Sequence, residues 1–200
     1  LRLGFDSVGI CPAGEATDWP KFAEWLSRDY GGNMAWLSER AEAYRNPASV
    51  LTGVQSLVML TVNYRTEEPA TISAGQGRIS RYAWGSADYH DTIHDRLKQL
   101  CRWMETEVPD SRCRGVVDTA PLLERQYAQI AGLGWRGKNT LLLQPDAGSL
   151  FFLAAFLTDV SLDFDTPFVA DHCGTCTACL DACPTDAFPA PYVLDARRCI

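Results

Sequence analysis

The chain has 200 residues, of which 46% are hydrophobic and 10% aromatic, so it has enough apolar surface for a folded core. Its formal net charge of −7 argues against general attraction to nucleic acid or anionic membrane, so such a partner would need a local basic patch. No apolar run approaches the ~20 residues of a membrane helix, and the first residues lack the layout of a secretion signal.

Helical and strand patterns alternate through the first part of the chain. Helices are predicted for TDWPKFAEWLSRDYGG and MAWLSERAEAYRNP, and a buried strand for SLVMLTVNY. A long helix follows in DYHDTIHDRLKQLCRWMETEV, with Ile93, Leu97 and Met104 on its buried stripe. Next come a strand and a helix in CRGVVDTAP and PLLERQYAQIAG. The apolar runs NTLLL and SLFFLAAFLTDV predict a hairpin through QPDAGS.

The run GLGWRG, residues 132–137, matches the G-x-G-x-x-G spacing of dinucleotide-binding loops. Such a loop needs a strand before it and a helix after it, so that the pyrophosphate meets a helix N-terminus. Here a helical pattern comes first and a strand pattern follows. We therefore expect Gly132 or Gly134 to end a helix, and we reject a Rossmann fold.

The eight cysteines fall into two groups. Cys11, Cys101 and Cys113 are scattered, and the spacing around Cys101 predicts a core residue. The other five are bunched between Cys173 and Cys199, where composition changes from Asp171 onward. Bunching in a chain of this length indicates a metal site in a reducing compartment, and the cytoplasm is the expected location.

The bunched cysteines follow the spacing C-x2-C-x2-C-x3-C-P of bacterial ferredoxins, with Cys173, Cys176, Cys179 and Cys183 as its thiols. Three thiolates at three-residue spacing can reach three corners of one cubane, while the fourth points toward a second cluster. Structural zinc sites instead use two separated cysteine pairs. The pattern favours iron–sulfur over zinc or packing cysteines.

Two cubane clusters need eight ligands, whereas the module holds five when Cys199 is included. The scattered cysteines belong to the other domain. We therefore expect this chain not to hold two complete clusters and the missing ligands to lie beyond Ile200. The first residue is not Met and the chain stops at ARRCI, so we expect truncation at both ends.

Three groups of polar residues in the first domain are candidates for a reactive centre, because clusters alone only pass electrons. They are Arg81, Tyr82, Asp88, Tyr89 and His90 in RISRYAWGSADYHD, Asp118, Glu124 and Arg125 in VVDTAPLLER, and Lys138 and Asn139 in WRGKNTLLL. An acid at the C-terminal end of a strand typically faces a cleft in α/β folds. Structural alternatives stay open: Asp88 can cap the next helix, Asp118 or Thr119 can cap a helix from Pro121, and His90 can be a surface residue.

Five ordered motifs resemble the epoxyqueuosine reductase family: RYAWGSADYHD, VVDTAPLLER, GWRGKNTLLL, DHCGTCTACLDACPTDAF and LDARRCI. The resemblance implies an α/β (α+β) fold, with a nitroreductase-like cobalamin-binding domain and a mixed sheet over residues 1–165. A ferredoxin-like 4Fe–4S module over residues 166–200 would follow and continue past the chain end. The implied activity is reduction of epoxyqueuosine to queuosine at the wobble position of tRNA, with cobalamin and two 4Fe–4S clusters.

The resemblance also implies roles for the candidate residues. Asp118 corresponds to the proton donor, and Asp88 and His90 line the same pocket. A donor acid must hold its proton, which requires burial or a neighbouring carboxylate such as Asp88. The implied contacts to cobalamin or the tRNA backbone are Arg81, Tyr82, Arg125, Lys138 and Asn139. The implied cluster ligands are Cys173, Cys176, Cys179, Cys183 and Cys199.

The partners implied are a tRNA anticodon stem-loop and a reduced flavodoxin- or ferredoxin-type electron donor. The protein is expected to be a cytoplasmic monomer with no membrane partner. Two alternatives share part of the pattern. A reductive dehalogenase-like enzyme would use the same cofactors on a small organohalide, and an electron-transfer protein would carry clusters without a corrinoid.

Overall fold

The computed structural model describes residues 2–200, and its centre is a four-stranded sheet of order β1-β2-β6-β3. The strands are β1 (Ser7–Pro12), β2 (Ser56–Asn63), β3 (Cys113–Val116) and β6 (Phe151–Thr158). The α+β class is confirmed, but the expected mixed sheet is wrong, since all three pairings are antiparallel. β2 and β3 run in the same direction, but β6 lies between them and pairs with each in antiparallel orientation, so no two neighbouring strands of this sheet are parallel.

The two central strands explain where the core lies. Residues 56–61 of β2 and 154–158 of β6 are buried without alternation, as expected for strands covered on both faces. One face packs against α4 (Glu124–Ile130), with Leu57 and Tyr127 in its core. The other packs against α3 (Tyr89–Glu107), whose predicted stripe is confirmed: Ile93, Leu97 and Met104 are buried.

The remaining helices are short. They are α1 (Trp19–Ser27), α2 (Ala35–Glu39) and α5 (Ala178–Asp181). The second predicted helix is interrupted: α2 ends at Glu39, the backbone leaves helical geometry at Arg40, and a 3-10 turn, Ala41–Arg45, follows. No helix within residues 2–200 has the length and apolar character needed to cross a membrane.

The predicted hairpin through QPDAGS is wrong in its pairing. Instead, β5 (Leu142–Leu143) pairs back with β4 (Trp135–Arg136), and β6 enters the main sheet. Only one isolated bridge, between Gln144 and Gly148, joins the two sides of that loop. The apolar β6 is buried better between β2 and β3 than it would be beside a two-residue strand.

The predicted helix end at Gly132 is confirmed. Gly132 has φ +78, and its N–H donates to the Gln129 carbonyl at 3.1 Å, while the Leu133 N–H donates to Ala128 at 2.9 Å. These two bonds form a Schellman motif, which needs a left-handed residue and therefore favours glycine. Because β4 follows, the G-x-G-x-x-G spacing here belongs to a helix end followed by a strand.

Candidate functional site

His90 lies between the carboxylates of Asp88 and Asp118. Its Nδ1 is 2.7 Å from Asp88 Oδ1, and its Nε2 is 3.0 Å and 3.1 Å from the two carboxylate oxygens of Asp118. Desolvation lowers the pKa of His90, but hydrogen bonds to both aspartates and their charges outweigh it, so the pKa is raised. A protonated imidazole can donate from both nitrogens, which matches this arrangement. The structure thus joins the three residues predicted as catalytic.

Asp88 is the N-cap of α3, as the structural alternative predicted. Its Oδ1 accepts the backbone N–H of His90 at 2.9 Å. That backbone bond, followed by the bond to the imidazole, lowers the pKa of Asp88. Because one carboxylate oxygen both caps the helix and contacts Nδ1, the cap fixes the orientation of the ring. Capping and participation in the site are therefore compatible roles.

Tyr89, which the sequence grouped with the candidate residues without a specific role, completes the contacts around Asp118. Its hydroxyl donates to Asp118 Oδ2 at 2.5 Å, and burial together with this bond raises its pKa. Its ring stacks on His90 and on Phe152 of β6, each with centroids 4.0 Å apart. Its position in the sequence between Asp88 and His90 was the signal that pointed to the site.

Asp118 follows β3 in a left-handed conformation, φ +42, which is unfavourable for a residue with a side chain. Its backbone N–H donates to Glu124 Oε1 at 3.0 Å. The predicted cap from Asp118 or Thr119 is wrong: α4 begins at Glu124, and its N-cap, Leu123, makes no side-chain cap bond. The Glu124 side chain reaches back instead and holds the loop that presents Asp118.

Glu124 is the carboxylate neighbour of Asp118. Burial, followed by the negative charge of Asp118, raises the pKa of Glu124 to about 7, against smaller lowering effects from the Asp118 N–H and Arg125. The expectation that Asp88 fills this position is wrong, since Asp88 contacts the opposite nitrogen of His90. The Asp118 side chain is 42% exposed, so an incoming ligand can reach it.

Arg81 and Tyr82 lie at the edge of this site. Tyr82 is half-exposed and meets the Tyr89 ring edge-on, with centroids 6.2 Å apart. Arg81 Nη2 is 3.3 Å from Glu68, while its Nη1 is buried and has no acceptor among the described residues. An unsatisfied buried donor fits a large ligand that carries amide or phosphate oxygens, and cobalamin carries both.

Arg125 and Asn139, which were also predicted to contact the cofactor, form hydrogen bonds within the chain. Arg125 Nη1 donates to the Thr140 carbonyl at 2.9 Å, and Asn139 Oδ1 accepts the Leu141 N–H at 3.2 Å. Both bonds shape the turn between β4 and β5. Cofactor contact by Arg125 and Asn139 stays a prediction.

Lys138 connects the first domain to the cysteine segment. Its Nζ donates to the carbonyls of Gly174 and Cys176 at 2.7 Å and 2.9 Å. The segment is further shaped by a turn, in which the Cys176 N–H donates to the Cys173 carbonyl at 2.8 Å, and by Asp171, which accepts the Cys173 N–H at 2.8 Å. Lys138 therefore positions the cysteine loop, and its contact with cobalamin or the tRNA backbone stays a prediction.

The chemistry of the cysteine segment fits iron–sulfur ligands. Cys183 Sγ accepts the Ala187 N–H at 3.3 Å, and backbone bonds from Ala187 and Thr185 lower the pKa of the Cys183 thiol. Hydrogen bonds to sulfur stabilise thiolates and tune cluster potentials. All eight cysteines are free thiols. Within residues 2–200, no three His, Cys, Asp or Glu side chains converge on a common metal position.

The scattered cysteines lie apart from this segment. Cys11 is fully buried in the core under α4, and burial raises its pKa to about 12. Cys101 and Cys113 are partly buried and pack against the core cluster under α3, so Cys101 lies at the edge of the core rather than inside it as predicted. None of these three is therefore placed to complete a cluster with the C-terminal cysteines.

Two family descriptions match parts of the chain. Residues 45–119 match "Epoxyqueuosine reductase QueG, DUF1730", and residues 172–200 match "4Fe-4S double cluster binding domain". The first stretch contains Asp88, His90 and Asp118, and the second contains the five bunched cysteines.

Named relatives agree with these matches. The epoxyqueuosine reductase of Cyclobacterium marinum is 41% identical over 203 residues, with 100% of this chain and 64% of the relative covered. That of Escherichia coli is 40% identical over 204 residues, with 100% and 53% covered. The chain belongs to the epoxyqueuosine reductase family. It spans between half and two thirds of the length of these epoxyqueuosine reductases.

Solved epoxyqueuosine reductases share the fold. The Streptococcus thermophilus protein superposes with a TM-score of 0.87 at 28% identity, covering 100% of this chain and 54% of that one. Another, solved with an epoxyqueuosine-modified tRNA-Tyr stem loop, gives 0.82 at 30% identity, with 99% and 53% covered. A catabolic reductive dehalogenase gives 0.51 at 18% identity, a likeness of fold alone.

Proposed function

We propose that the chain carries the catalytic part of an enzyme that reduces epoxyqueuosine to queuosine at the wobble position of tRNA. The observation that carries this proposal is the contact of Asp118 with His90 Nε2 and the Tyr89 hydroxyl, beside a partly exposed surface. The related enzyme solved with an epoxyqueuosine-modified stem loop supports the same substrate here.

The reaction consumes two electrons and two protons, and it converts an epoxide into an alkene and water. Opening of a C–O bond leaves negative charge on the oxygen, which Asp118 is positioned to protonate once it has taken a proton from His90 Nε2. His90 Nε2, at 3.0 Å, returns a proton to Asp118, and Asp88 stabilises the imidazolium from the other side. A second protonation of the same oxygen lets it leave as water. General-acid help of this kind accelerates reactions by ~10²- to 10⁴-fold.

Movement of the Asp118 loop is part of the proposal. In one structure of the Bacillus subtilis relative, a catalytic aspartate loop is swung out of the active site. Here Asp118 has the strained φ of +42 and is tied to α4 through Glu124. Strained residues of this kind concentrate at active sites, where the surrounding structure holds them.

Cobalamin, when bound, supplies a nucleophilic and redox-active centre for opening the epoxide. Arg81 Nη1 is the donor best suited to hold it, because it is buried and unsatisfied among the described residues. Tyr82, half-exposed beside Tyr89, would pack against the same ligand.

The cysteine segment would bind 4Fe–4S clusters through Cys173, Cys176, Cys179, Cys183 and Cys199. Lys138 keeps that segment against the catalytic domain, which supports short-range electron delivery. A reduced flavodoxin- or ferredoxin-type protein would be the electron donor to a monomer, and free thiols suit the reducing cytoplasm.

Reconstitution tests the proposal. The chain is loaded with cobalamin, iron and sulfide, reduced chemically, and incubated with a stem-loop RNA that carries epoxyqueuosine. Mass spectrometry of the nucleosides should show loss of one oxygen atom. Loaded protein that leaves the RNA unchanged but dehalogenates an aryl halide would favour the dehalogenase alternative.

A further inference from the structure

A cleft of about 290 Å³ opens beside the Asp118 loop and takes no part in the proton path described above. It lies between the irregular segment 40–50 and the end of β3. Its polar lining comes from Arg40, Ser49, His94, Arg114 and Thr119. Thr119 directly follows Asp118, so the cleft adjoins the site along the chain.

The two arginines are held by backbone carbonyls. Arg40 Nη1 donates to the Thr119 carbonyl at 3.4 Å, and Arg114 Nη1 donates to the Val50 carbonyl at 2.9 Å. Neither guanidinium forms an ion pair with a carboxylate within residues 2–200, unlike Arg45 and Arg112 nearby. A guanidinium has five N–H donors, so each arginine keeps several for a ligand.

The charge of the cleft is opposite to that of the whole chain. The net charge is −7, yet no aspartate or glutamate is among the residues that line the cleft. Two guanidinium groups with hydroxyl and imidazole groups beside them match the oxygens of a phosphate, which arginine binds in a bidentate manner. A divalent cation or an apolar ligand would not be favoured here.

We propose that Arg40 and Arg114 form a phosphodiester subsite next to Asp118. This inference rests on the proposed function, in which the substrate brings one phosphodiester per nucleotide. The tRNA backbone beside the modified nucleoside is one source of the group. The nucleotide loop of cobalamin is the other, and the experiment separates them.

The experiment measures two affinities of the full chain: for a labelled anticodon stem-loop over a range of salt, and for cobalamin by absorbance. The variant is Arg40→Gln with Arg114→Gln, which keeps a side-chain donor at each position. Arg2→Gln with Arg102→Gln is the control, since both residues are exposed and lie outside the cleft. These two substitutions remove the same charge as the test variant. Arg40→Lys with Arg114→Lys restores the charge.

For a tRNA phosphate, the Gln variant should bind RNA about 10-fold or more weakly, with unchanged cobalamin affinity. Its slope of log K against log salt should fall by ~0.7 to ~1.4, the amount for one or two single-strand contacts, and the Lys variant should recover the slope. Weaker cobalamin binding with normal RNA binding would assign the subsite to the cofactor. Affinities equal to those of the control variant would overturn the subsite.

Failure of the proposed function gives a different result. If the unmodified chain binds neither RNA nor cobalamin, that function is wrong, and the cleft is then tested with inorganic phosphate. A phosphate-dependent rise in Tm that the Gln variant lacks supports an anion subsite. An equal rise in both proteins, or none in either, overturns it.

Discussion

Glu124 Oε1 accepts the backbone N–H of Asp118 at 3.0 Å, although the negative charge of Asp118 disfavours ionisation of the Glu124 side chain. The bond holds Asp118 in its left-handed conformation, while the repulsion and burial make protonated Glu124 favourable. The loop that presents the proposed acid is therefore coupled to the protonation of a second carboxyl group.

That coupling predicts a pH dependence of stability. The pKa of Glu124 is about 7 in the folded chain and near its ordinary value of 4.5 when unfolded. A raised pKa gives stability that is fully present below about 4.5 and is lost as pH rises through about 7. Glu124→Gln keeps the acceptor for Asp118 and should remove this loss. Urea unfolding across that range should show the unmodified chain losing stability relative to the variant, and parallel curves would contradict the coupling.

Asp118→Asn tests the acid itself. The amide keeps an oxygen for Tyr89 and His90 but has no acidic proton to give. Turnover of the epoxyqueuosine stem-loop should fall by ~10²- to 10⁴-fold, while cobalamin and iron content stay unchanged. Asp163→Asn, the same exchange at an exposed aspartate outside the site, is the control. Turnover near that of the unmodified enzyme would remove Asp118 from the mechanism.

Asp88→Asn tests whether the Asp88 carboxylate raises the pKa of His90. Asparagine is as good an N-cap as aspartate, so α3 should keep its first turn, but the negative charge at Nδ1 is lost. The pKa of His90 should fall, which NMR titration of the ring protons would show. Since the raised pKa contributes stability that is lost as pH rises through it, this contribution should shrink in the variant. Asp91→Asn removes a charge from the same turn and should shift the pKa of His90 less.

The sequence predicted best what depends on local pattern. The stripe of α3, the buried β2, the helix end at Gly132 and the cap at Asp88 all follow from spacing over a few residues. The pairing of β6 did not, because its apolar run suits either a hairpin or a central strand. The sequence also did not predict the hydrogen bonds of Glu124 and Lys138. Each of these side chains bonds to a backbone atom that only the tertiary fold brings near.

Lys138→Met should loosen the cysteine segment. The change keeps the aliphatic stem but removes two charge-assisted bonds to the Gly174 and Cys176 carbonyls, each worth ~1 to 3 kcal/mol. Amide hydrogen exchange in residues 173–183 should speed up, and iron bound per chain should fall after reconstitution. Lys98→Met, which removes an exposed lysine paired with Asp95, is the control. Equal exchange in both variants would show that Lys138 does not hold the loop.

Gly115→Ala tests the packing that positions β3 and therefore Asp118. A Cβ at Gly115 would lie 2.5 Å from the Cβ of Leu97, which is 1% exposed and fixed in the core. Because neither α3 nor β3 can shift without disturbing the core, we expect destabilisation by ~1 to 3 kcal/mol in urea unfolding. Gly14→Ala is the matched control, since a Cβ there would meet no atom within 4 Å. If the two variants are equally stable, α3 is free to move away from the sheet, and the contact between His90 on α3 and Asp118 after β3 is not rigidly set.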